Sequence, residues 1–278
     1  MSIESEGPTV SPATNDEIRT AVRDTYSQIA LSDSDGCASS SCCGGGGPVS
    51  VASIQLGYSE ADVSSVPEGA DLGLGCGNPG AIAALQLGET VLDLGSGAGF
   101  DVFLAAAAVG ETGHVIGVDM TPAMVSKARA NAERGGFANV EFRLGEIERL
   151  PVADGVVDVI ISNCVINLSP DKPSVFRESF RVLREGGRLA VSDVVASVEL
   201  PEEVRGDLAL YSGCIAGASL IAELEEMMAA AGFVDIRVAP KDESKTFIEQ
   251  WAPGRQISDY VVSATIEALK PRSAPASR

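Results

Sequence analysis

The sequence predicts an α/β fold with a sheet that helices cover on both faces. From residue 90 onward, short strand-like segments that are apolar almost throughout alternate with helical segments. Continuous apolar strands of this kind are buried on both faces, which is typical of parallel sheets with helical crossovers. The chain of 278 residues is long enough to bury such a core without disulfides or a structural metal.

The alternation supplies five strands and three helices. Most of the strands are mainly apolar runs, and the helices are apolar throughout or along one face. Two glycines, at 186 and 187, end the last of these helices. The predicted strands are 90–94, 114–118, 139–143, 156–162 and 188–194, and the predicted helices are 100–109, 122–134 and 172–184.

The flanking segments are predicted to fold over the edge where these strands end. Apolar residues at helical intervals predict a helix over 15–31, with Asn15 as its N-cap. The Gly/Ser-rich stretch that follows, 32–48, predicts a flexible loop containing Cys37, Cys42 and Cys43. Residues 200–231 are predicted to be helical, and 233–238 and 258–265 to be two further strands. The predicted units are 1–70, an N-terminal helix and mobile loop, 71–195, the core, and 196–278, an insert with closing strands.

Charge and composition exclude two kinds of partner. Asp and Glu total 39 against 20 Lys and Arg, a net charge of −19, which excludes the basic face of a nucleic-acid binder and attraction to an anionic membrane. The sequence shows no secretory signal, and no apolar run reaches the roughly 18 residues of a membrane helix. We expect a cytoplasmic monomer whose six cysteines are reduced, metal-binding or catalytic. Its acidity fits either general solubility or a high-salt host.

A glycine loop between the first strand and the first core helix predicts a ligand site. Gly95, Gly97 and Gly99 lie where the backbone can approach a ligand closely and a helix start offers free N–H groups. Asp119 ends the second strand, where an acid can accept from both hydroxyls of a ribose, and the adjacent Met120 can lie against adenine. A tight turn without a ligand is the alternative. Nicotinamide dehydrogenases would favour GxGxxG over this GxGxG spacing.

Residues 88–195 resemble the class I S-adenosylmethionine-dependent methyltransferases. The matching segments, in the order typical of that family, are DLGSGAG at 93–99, Asp119, GEI at 145–147, DGVVDVIISNCVINL at 154–168 and LREGGRLAVSD at 183–193. The resemblance implies a Rossmann-like fold with a mostly parallel seven-stranded sheet and S-adenosylmethionine as cofactor. Glu146 stands where the family more often has Asp, although its carboxylate can still accept from the adenine amine. The implied cofactor-binding residues are Asp93, Gly95, Ser96, Gly97, Gly99, Asp119, Met120, Glu146, Ile147 and Asn163.

Three cysteines from separate segments are candidates for one site. Cys164 follows the fourth strand, at the switch point where ligands of open parallel sheets bind. Cys76 lies in a Gly-rich turn before a short helix, whose start favours a thiolate. Cys214 lies at the end of a helix in the insert. The flanking glycines predict exposed turns for Cys76 and Cys214. The alternative for each cysteine is a buried, small apolar side chain.

Clustered thiolates select soft ions, and zinc and trivalent arsenic are the candidates. Zinc sites usually carry CxxC pairs, which this sequence lacks. Trivalent arsenic binds three thiolates as a pyramid and keeps a lone pair that accepts a methyl group without a general base. A reaction without a general base is compatible with this chain, which has a single histidine, His114. His114 begins the second strand, at the sheet edge opposite the site, and we interpret it as structural.

Nearly the whole chain resembles the arsenite S-adenosylmethionine methyltransferases. The matching segments are VRDTYSQIALSDSDGCASSSCCG, LGLGCGNP, LGSGAGFD, SNCVINL and YSGCIAGA, in that order. The resemblance implies that Cys76, Cys164 and Cys214 hold arsenic. It also implies that one loop cysteine joins them in catalysis, Cys43 or Cys42, with Cys43 favoured. Cys37 is given no role.

The implied reaction is methylation of thiolate-bound arsenite, a detoxification. The methyl transfer consumes the arsenic lone pair, so two electrons must return, and a disulfide between the loop cysteine and Cys76 would supply them. The expected partners are arsenite as a thiol complex and a thiol reductant, glutathione or a thioredoxin-like protein. Two alternatives remain: a methyltransferase for a small organic acceptor, which would need a general base, and a non-catalytic protein that sequesters arsenic or zinc.

Overall fold

The computed structural model describes residues 13–32, 49–252 and 254–273. The three loop cysteines, Cys37, Cys42 and Cys43, lie outside the described residues, as does the predicted loop beyond Ser32. The choice between Cys42 and Cys43 therefore stays a prediction, and so do the bounds of the three predicted units.

One seven-stranded sheet organises the described chain. Its strands are β1 (Thr90–Leu94), β2 (His114–Asp119), β3 (Val140–Leu144), β4 (Val157–Asn163), β5 (Leu183–Ala196), β6 (Val234–Lys241) and β7 (Val261–Leu269). Their spatial order is β3-β2-β1-β4-β5-β7-β6. Pairing is parallel from β3 through β5, and β7 runs antiparallel to both β5 and β6. The predicted mostly parallel, seven-stranded α/β fold is thus confirmed.

Helices pack on both faces of the sheet and along one edge. Those described are α1 (Asn15–Leu31), α2 (Val49–Gln55), α3 (Glu60–Ser65), α4 (Pro79–Ala83), α5 (Phe100–Val109), α6 (Pro122–Gly135), α7 (Lys172–Val182), α8 (Glu202–Arg205), α9 (Leu208–Ser212), α10 (Ile221–Ala231) and α11 (Lys245–Ile248). Among the described residues, no helix combines the length and the apolarity that crossing a bilayer requires.

Alternate residues along the central strands, such as β1, enter two apolar cores, one on each face. In β1, Val91 packs in a cluster with Phe103 of α5 and Ala128 of α6. Its neighbour Leu92 packs in the opposite cluster, with Phe176 of α7. Since successive strand side chains point to opposite faces, burial on both sides explains why the strands are apolar without alternation.

A third apolar cluster covers the edge where β4 and β5 end. It contains Val22 of α1, Leu210 of α9 and Val194 of β5, together with all three cysteines of the predicted site. Helix α1 contacts both α6 and α9. The N-terminal helix and the insert therefore meet over this edge, as predicted.

Several predicted boundaries are wrong for local reasons. Thr14, and not Asn15, caps α1, because its hydroxyl accepts from the N–H of Glu17 at 3.3 Å in a reciprocal capping box. The helix predicted to end at 184 stops at Val182, because Leu183 already pairs with β4 as the start of a long strand.

The predicted helical stretch 200–231 is broken into three helices. Gly206 ends α8 and Gly213 ends α9, each with its N–H bonded to carbonyls of the preceding turn. The segment between α9 and α10 is not helical, and it contains Cys214. The closing strands are also displaced, since β6 extends to Lys241 and β7 begins at Val261 instead of 258.

Candidate active site

The strand register brings the glycine loop and Cys164 to the same edge of the sheet. β1 and β4 are parallel neighbours, with Leu94 opposite Ser162. The glycine loop starts one residue after Leu94, and Cys164 lies two residues after Ser162. The strand order reverses between β1 and β4, and ligands of open α/β sheets bind at such a point. Both segments line one cavity.

Backbone hydrogen bonds fix the glycine loop against the end of β2. The N–H of Gly95 donates to the carbonyl of Val118 at 2.7 Å. The N–H of Gly97 donates to Oδ2 of Asp119 at 2.9 Å, and the N–H of Thr121 donates to Oδ1 at 2.8 Å. A carboxylate offers about four lone pairs, so Asp119 keeps acceptor capacity for a ligand in the cavity that it lines.

One side of the glycine loop is closely packed and the other is open. A Cβ on Gly95 would overlap Val165, whereas a Cβ on Gly97 would meet no described atom within 4 Å. On this loop, Ser96 Oγ is buried and has no hydrogen-bond partner among the described residues. A buried hydroxyl without a partner is costly. The open side of the loop, at Gly97, leaves room for a ligand close to the backbone.

Two buried carboxyl groups and one half-buried one form an acidic wall of the cavity. Asp93, Asp101 and Asp119 all line it. Burial raises the pKa of each, and the charges of Asp101 and Asp119 raise that of Asp93 further. Such a wall favours a cationic ligand, which agrees with the sulfonium cofactor implied by the sequence. Asp101 was not among the predicted site residues.

Most of the predicted cofactor residues line the cavity. Gly99 does not; it begins α5, and a Cβ there would lie 2.7 Å from Phe103. The residues that do line it are Asp93, Gly95, Ser96, Gly97, Asp119, Met120, Ile147 and Asn163.

The structure turns Glu146 toward α1 and places Glu148 at the cavity instead. Glu146 is 41% exposed and pairs with Arg23 at 3.4 Å. Glu148 lines the cavity, pairs with Arg19 at 3.1 Å and accepts from the Ser169 hydroxyl at 2.8 Å. Both carboxylates follow β3, and no signal in the sequence separates them. The Arg19–Glu148 ion pair attaches α1 over the cavity.

Asn163 connects the end of β4 to the turn that carries Cys76. Its Oδ1 accepts from the N–H of Cys76 at 3.0 Å, and its Nδ2 donates to the carbonyl of Gly77 at 2.8 Å. The same amide lies 3.0 Å from the hydroxyl of Tyr58, which donates to Asp101 at 2.6 Å. One side chain thus lines the cavity and also holds the backbone of a predicted arsenic ligand.

Asp101 is expected to lower the stability of the protein as the pH rises from about 4 to about 7. Burial raises the pKa of Asp101 to about 6, although hydrogen bonds from Tyr58 and Asn163 act to lower it. The folded state therefore retains a proton that the unfolded chain has released, and a stabilisation of about 3 kcal/mol is lost over this range. Urea unfolding should show that the free energy of unfolding depends less on pH in Asp101→Asn than in the unaltered protein. Equal slopes for the two proteins would contradict the raised pKa of Asp101.

Cys76, Cys164 and Cys214 are brought together from the turn before α4, the end of β4 and the segment after α9. The Sγ atoms of Cys76 and Cys164 and a carboxylate oxygen of Asp193 lie within 4.8 Å of one another. The thiol of Cys214 donates to the carbonyl of Cys164 at 2.7 Å. All three cysteines are buried, so the prediction of exposed turns for Cys76 and Cys214 is wrong. The apolar cluster at the sheet edge covers them.

Two of these cysteines have a left-handed backbone. The φ angle is 58° at Cys164 and 62° at Cys214, a region that non-glycine residues rarely adopt. The N–H of Cys164 donates to the carbonyl of Ser192 at 2.8 Å, and that of Cys214 to the carbonyl of Tyr211 at 3.0 Å. Such strain persists only where the surrounding structure fixes it, and it concentrates at functional sites.

We expect the Cys214→Gly variant of the protein to be more stable than the Cys214→Ala variant. Both substitutions remove the buried thiol, but only alanine keeps the left-handed strain, so Cys214→Gly should exceed Cys214→Ala in free energy of unfolding by about 1 kcal/mol. Cys76 is a matched control, since its φ is not positive. There alanine should be the more stable of the two. Denaturant unfolding of the four variants measures both differences, and the same order at both positions would contradict the assigned backbone.

The thiols and the neighbouring carboxyl group share a dry environment. Burial raises the pKa of the Cys76 thiol, and burial together with the two neighbouring thiols raises that of Cys164 well above its usual range. Burial also raises the pKa of Asp193, to about 6. In the free protein at neutral pH, the thiols of Cys76 and Cys164 therefore hold their protons while Asp193 is mostly ionised.

The sheet and the cavity define a methyltransferase of class I. A family model described as a methyltransferase domain matches residues 85–232. A solved arsenic (III) S-adenosylmethionine methyltransferase from Chlamydomonas reinhardtii is similar to this chain, with a TM-score of 0.60 and 33% identity, covering 83% of this chain and 75% of that one.

Two curated relatives indicate which class of methyltransferases this chain is similar to in sequence. The arsenite methyltransferase of Halobacterium salinarum is 54% identical over 92% of this chain and 67% of its own length. That of Aquipseudomonas alcaligenes is 43% identical over 78% of this chain and 62% of its own length. The chain thus spans about two thirds of the length of these relatives. It belongs to the S-adenosylmethionine-dependent arsenite methyltransferases.

Proposed function

We propose that this chain methylates trivalent arsenic held by Cys76, Cys164 and Cys214. One observation carries the proposal: a single cavity joins the glycine loop, where the methyl donor binds in this fold, to Cys164 and Cys214. The acceptor atom would then face the donor at the end of β4. Holding two reactants in line is worth roughly 7–11 kcal/mol of the reaction barrier.

The protonated thiols suit arsenic that arrives as a thiol complex. When Cys76 or Cys164 displaces a carrier thiol from arsenic, a sulfur–arsenic bond forms as another breaks, and the departing thiol takes the proton. No base is therefore needed for loading. Low water access in the buried site opposes hydrolysis of the new bonds.

The residues that line the cavity also fit the methyl donor. Asp119 would accept from the ribose hydroxyls, and the carboxylates of Asp93 and Asp101 would face its positive groups. S-adenosylmethionine, when bound, supplies an electrophilic methyl group on a positively charged sulfur.

Asp193 would stabilise the charge that methylation creates on arsenic. The lone pair forms the new bond to carbon, which leaves arsenic with a formal positive charge near the thiolates, and the Asp193 carboxylate lies within 4.8 Å of two of the sulfurs. Opposite charges about 5 Å apart attract by about 3 kcal/mol at an effective dielectric constant near 20. Asp193→Asn is therefore expected to lower kcat at least about tenfold, with a smaller change in the KM for arsenite.

Steady-state kinetics under reducing conditions measure this effect. Asp259→Asn removes an exposed carboxylate and is the matched control. Equal kcat values for Asp193→Asn and Asp259→Asn would exclude an electrostatic role for Asp193.

Reduction of the methylated arsenic completes the proposed cycle. Methyl transfer leaves arsenic pentavalent, and two thiols can return two electrons by forming one disulfide while arsenic becomes trivalent again. We propose Cys43 and Cys76 for this pair, after which glutathione or a thioredoxin-like protein would restore both thiols. We further propose that the protein detoxifies arsenic in the cytoplasm, because these steps need a reducing compartment, and that it does so as a monomer.

The direct test incubates the full chain with S-adenosylmethionine, arsenite and glutathione and detects methylated arsenic by mass spectrometry. Product is expected with the unaltered protein and with Cys37→Ser. No product with a folded chain that binds S-adenosylmethionine would contradict arsenic methylation and would favour a small organic acceptor. For the reduction step, Cys43→Ser should arrest the enzyme after one methyl transfer. Sustained turnover by that variant would exclude Cys43.

A further inference from the structure

Asp193 gives the thiol site a donor that trivalent arsenic does not need. Its carboxylate oxygen and the Sγ atoms of Cys76 and Cys164 lie within 4.8 Å of one another, and all three residues are buried. Three sulfur atoms complete the coordination of trivalent arsenic. An oxygen donor beside two thiols instead resembles the ligand set of a divalent cation of intermediate softness.

Hydrogen bonds hold the carboxylate of Asp193 in a position where it can bind a cation. Oδ1 accepts from Asn167 Nδ2 at 2.9 Å and from the N–H of Val194 at 2.7 Å. Oδ2 accepts from the N–H of Ile166 at 2.9 Å, and the backbone N–H of Asn167 also interacts with this carboxylate. A carboxylate has about four acceptor positions, so a metal on this carboxylate would replace the contact from the Asn167 N–H and leave the other three hydrogen bonds in place. The same bonds fix its orientation.

We propose that Cys76, Cys164 and Asp193 form a binding site for Zn²⁺, completed by the thiolate of Cys214. Zn²⁺ takes four ligands in a tetrahedron from Cys, His, Asp or Glu and is stable in a closed site of this kind. The Cys214 thiol already lies against the Cys164 carbonyl, at 2.7 Å. The lack of a CxxC pair does not argue against the site, because the sheet edge brings the donors together from separate segments.

The surroundings favour a cation together with ionised thiols. Three thiolates and one carboxylate leave two negative charges after Zn²⁺ is bound. Lys172, at the start of α7, is partly buried and interacts electrostatically with Asp193 and Cys214. Its ammonium would offset one of those charges, which makes burial of the complex less costly.

Zn²⁺ and trivalent arsenic would exclude each other, because both need Cys76 and Cys164. We therefore expect Zn²⁺ to inhibit arsenic methylation competitively with arsenite. This consequence alone rests on the proposed function. Binding of Zn²⁺ is measured without arsenite or S-adenosylmethionine, so a failure of arsenic methylation leaves the metal site testable.

The test uses the full chain reduced with a phosphine and Zn²⁺ as the only added metal. A Cys37→Ser/Cys42→Ser/Cys43→Ser variant removes the other thiols and is expected to bind one Zn²⁺ per chain by mass spectrometry of the metal. X-ray absorption should show three sulfurs at about 2.3 Å and one oxygen at about 2.0–2.2 Å. Loss of stoichiometric binding in this variant, or a zinc shell without the oxygen, would overturn the proposal.

Adding Asp193→Asn to the variant that lacks Cys37, Cys42 and Cys43 tests whether the oxygen ligand of Zn²⁺ is the Asp193 carboxylate or a bound water. We expect its Zn²⁺ affinity to fall at least about tenfold, with circular dichroism confirming that the variant folds. Unchanged affinity in a folded variant would overturn the assignment. If the variant does not fold, the sulfur count in the parent variant still tests whether Cys76, Cys164 and Cys214 bind Zn²⁺ together, and two sulfurs or fewer would overturn the proposal.

Discussion

Replacing Cys164 by Ser is expected to lower arsenic methylation about a hundredfold or more and to leave the affinity for S-adenosylmethionine nearly unchanged. The hydroxyl is a poor ligand for a soft ion, so arsenic would remain on two thiolates and lose its alignment with the donor. A misplacement of about 1 Å can cost two orders of magnitude in rate. The affinity is spared because the glycine loop and Asp119 do not depend on the thiol.

Single-turnover methylation and calorimetric titration with S-adenosylmethionine measure the two effects separately. Cys37→Ser makes the same chemical change outside the proposed ligand set and should retain activity. Full methylation by Cys164→Ser would remove Cys164 from the arsenic site without affecting the cofactor assignment.

Replacing Gly95 by Ala is expected to destabilise the protein by about 2–5 kcal/mol and to abolish binding of S-adenosylmethionine. The φ angle of Gly95 is +69°, which costs an L residue about 1–2 kcal/mol. The added methyl group would also overlap Val165, and overpacking of this kind typically costs about 1–3 kcal/mol. Relief of that overlap would move the loop away from the end of β2.

Gly97→Ala is the matched control for stability. Its φ is +51°, but its Cβ would meet no described atom within 4 Å, so only the backbone cost of about 1–2 kcal/mol is expected. Binding of S-adenosylmethionine should still weaken, since the methyl group would occupy the open side of the loop. Urea unfolding and titration distinguish the variants. Equal losses of stability at both positions would contradict the packing described for Gly95.

The sequence was sufficient to predict the sheet because its pattern has a direct physical cause. Strands such as Val157–Asn163 are mainly apolar and almost wholly buried since both faces are covered, and a glycine loop after β1 marks the ligand end of a parallel sheet. The positions of Cys76, Cys164 and Cys214 made them candidates for one site, but their joint role as arsenic ligands followed from the family resemblance. No local pattern reports distances between segments 88 and 50 residues apart.

Features that depend on tertiary packing could not be predicted. The burial of Cys76 and Cys214 arises from α1 and the insert closing over the edge, while their flanking glycines indicated exposure. In the sequence, Asp193 has no feature that distinguishes it from other residues of a strand. It lies near the thiols because β5 pairs with β4. The choice of Glu148 over Glu146 at the cavity depends on where the arginines of α1 dock.

The proposed donor site and the proposed acceptor site can change independently in evolution, because different segments of the chain contribute to them. The glycine loop, Asp119 and Cys164 lie on the sheet or directly after it, whereas Cys76 and Cys214 belong to turns outside the βα repeat. An exchange of those two turns would alter the acceptor while the donor pocket kept its register. A change in the register of β4 would instead move Asn163 and Cys164 together. It would therefore alter the proposed donor site and the proposed acceptor site at once. New acceptors in this fold should therefore arise by remodelling the turns and conserving the strand.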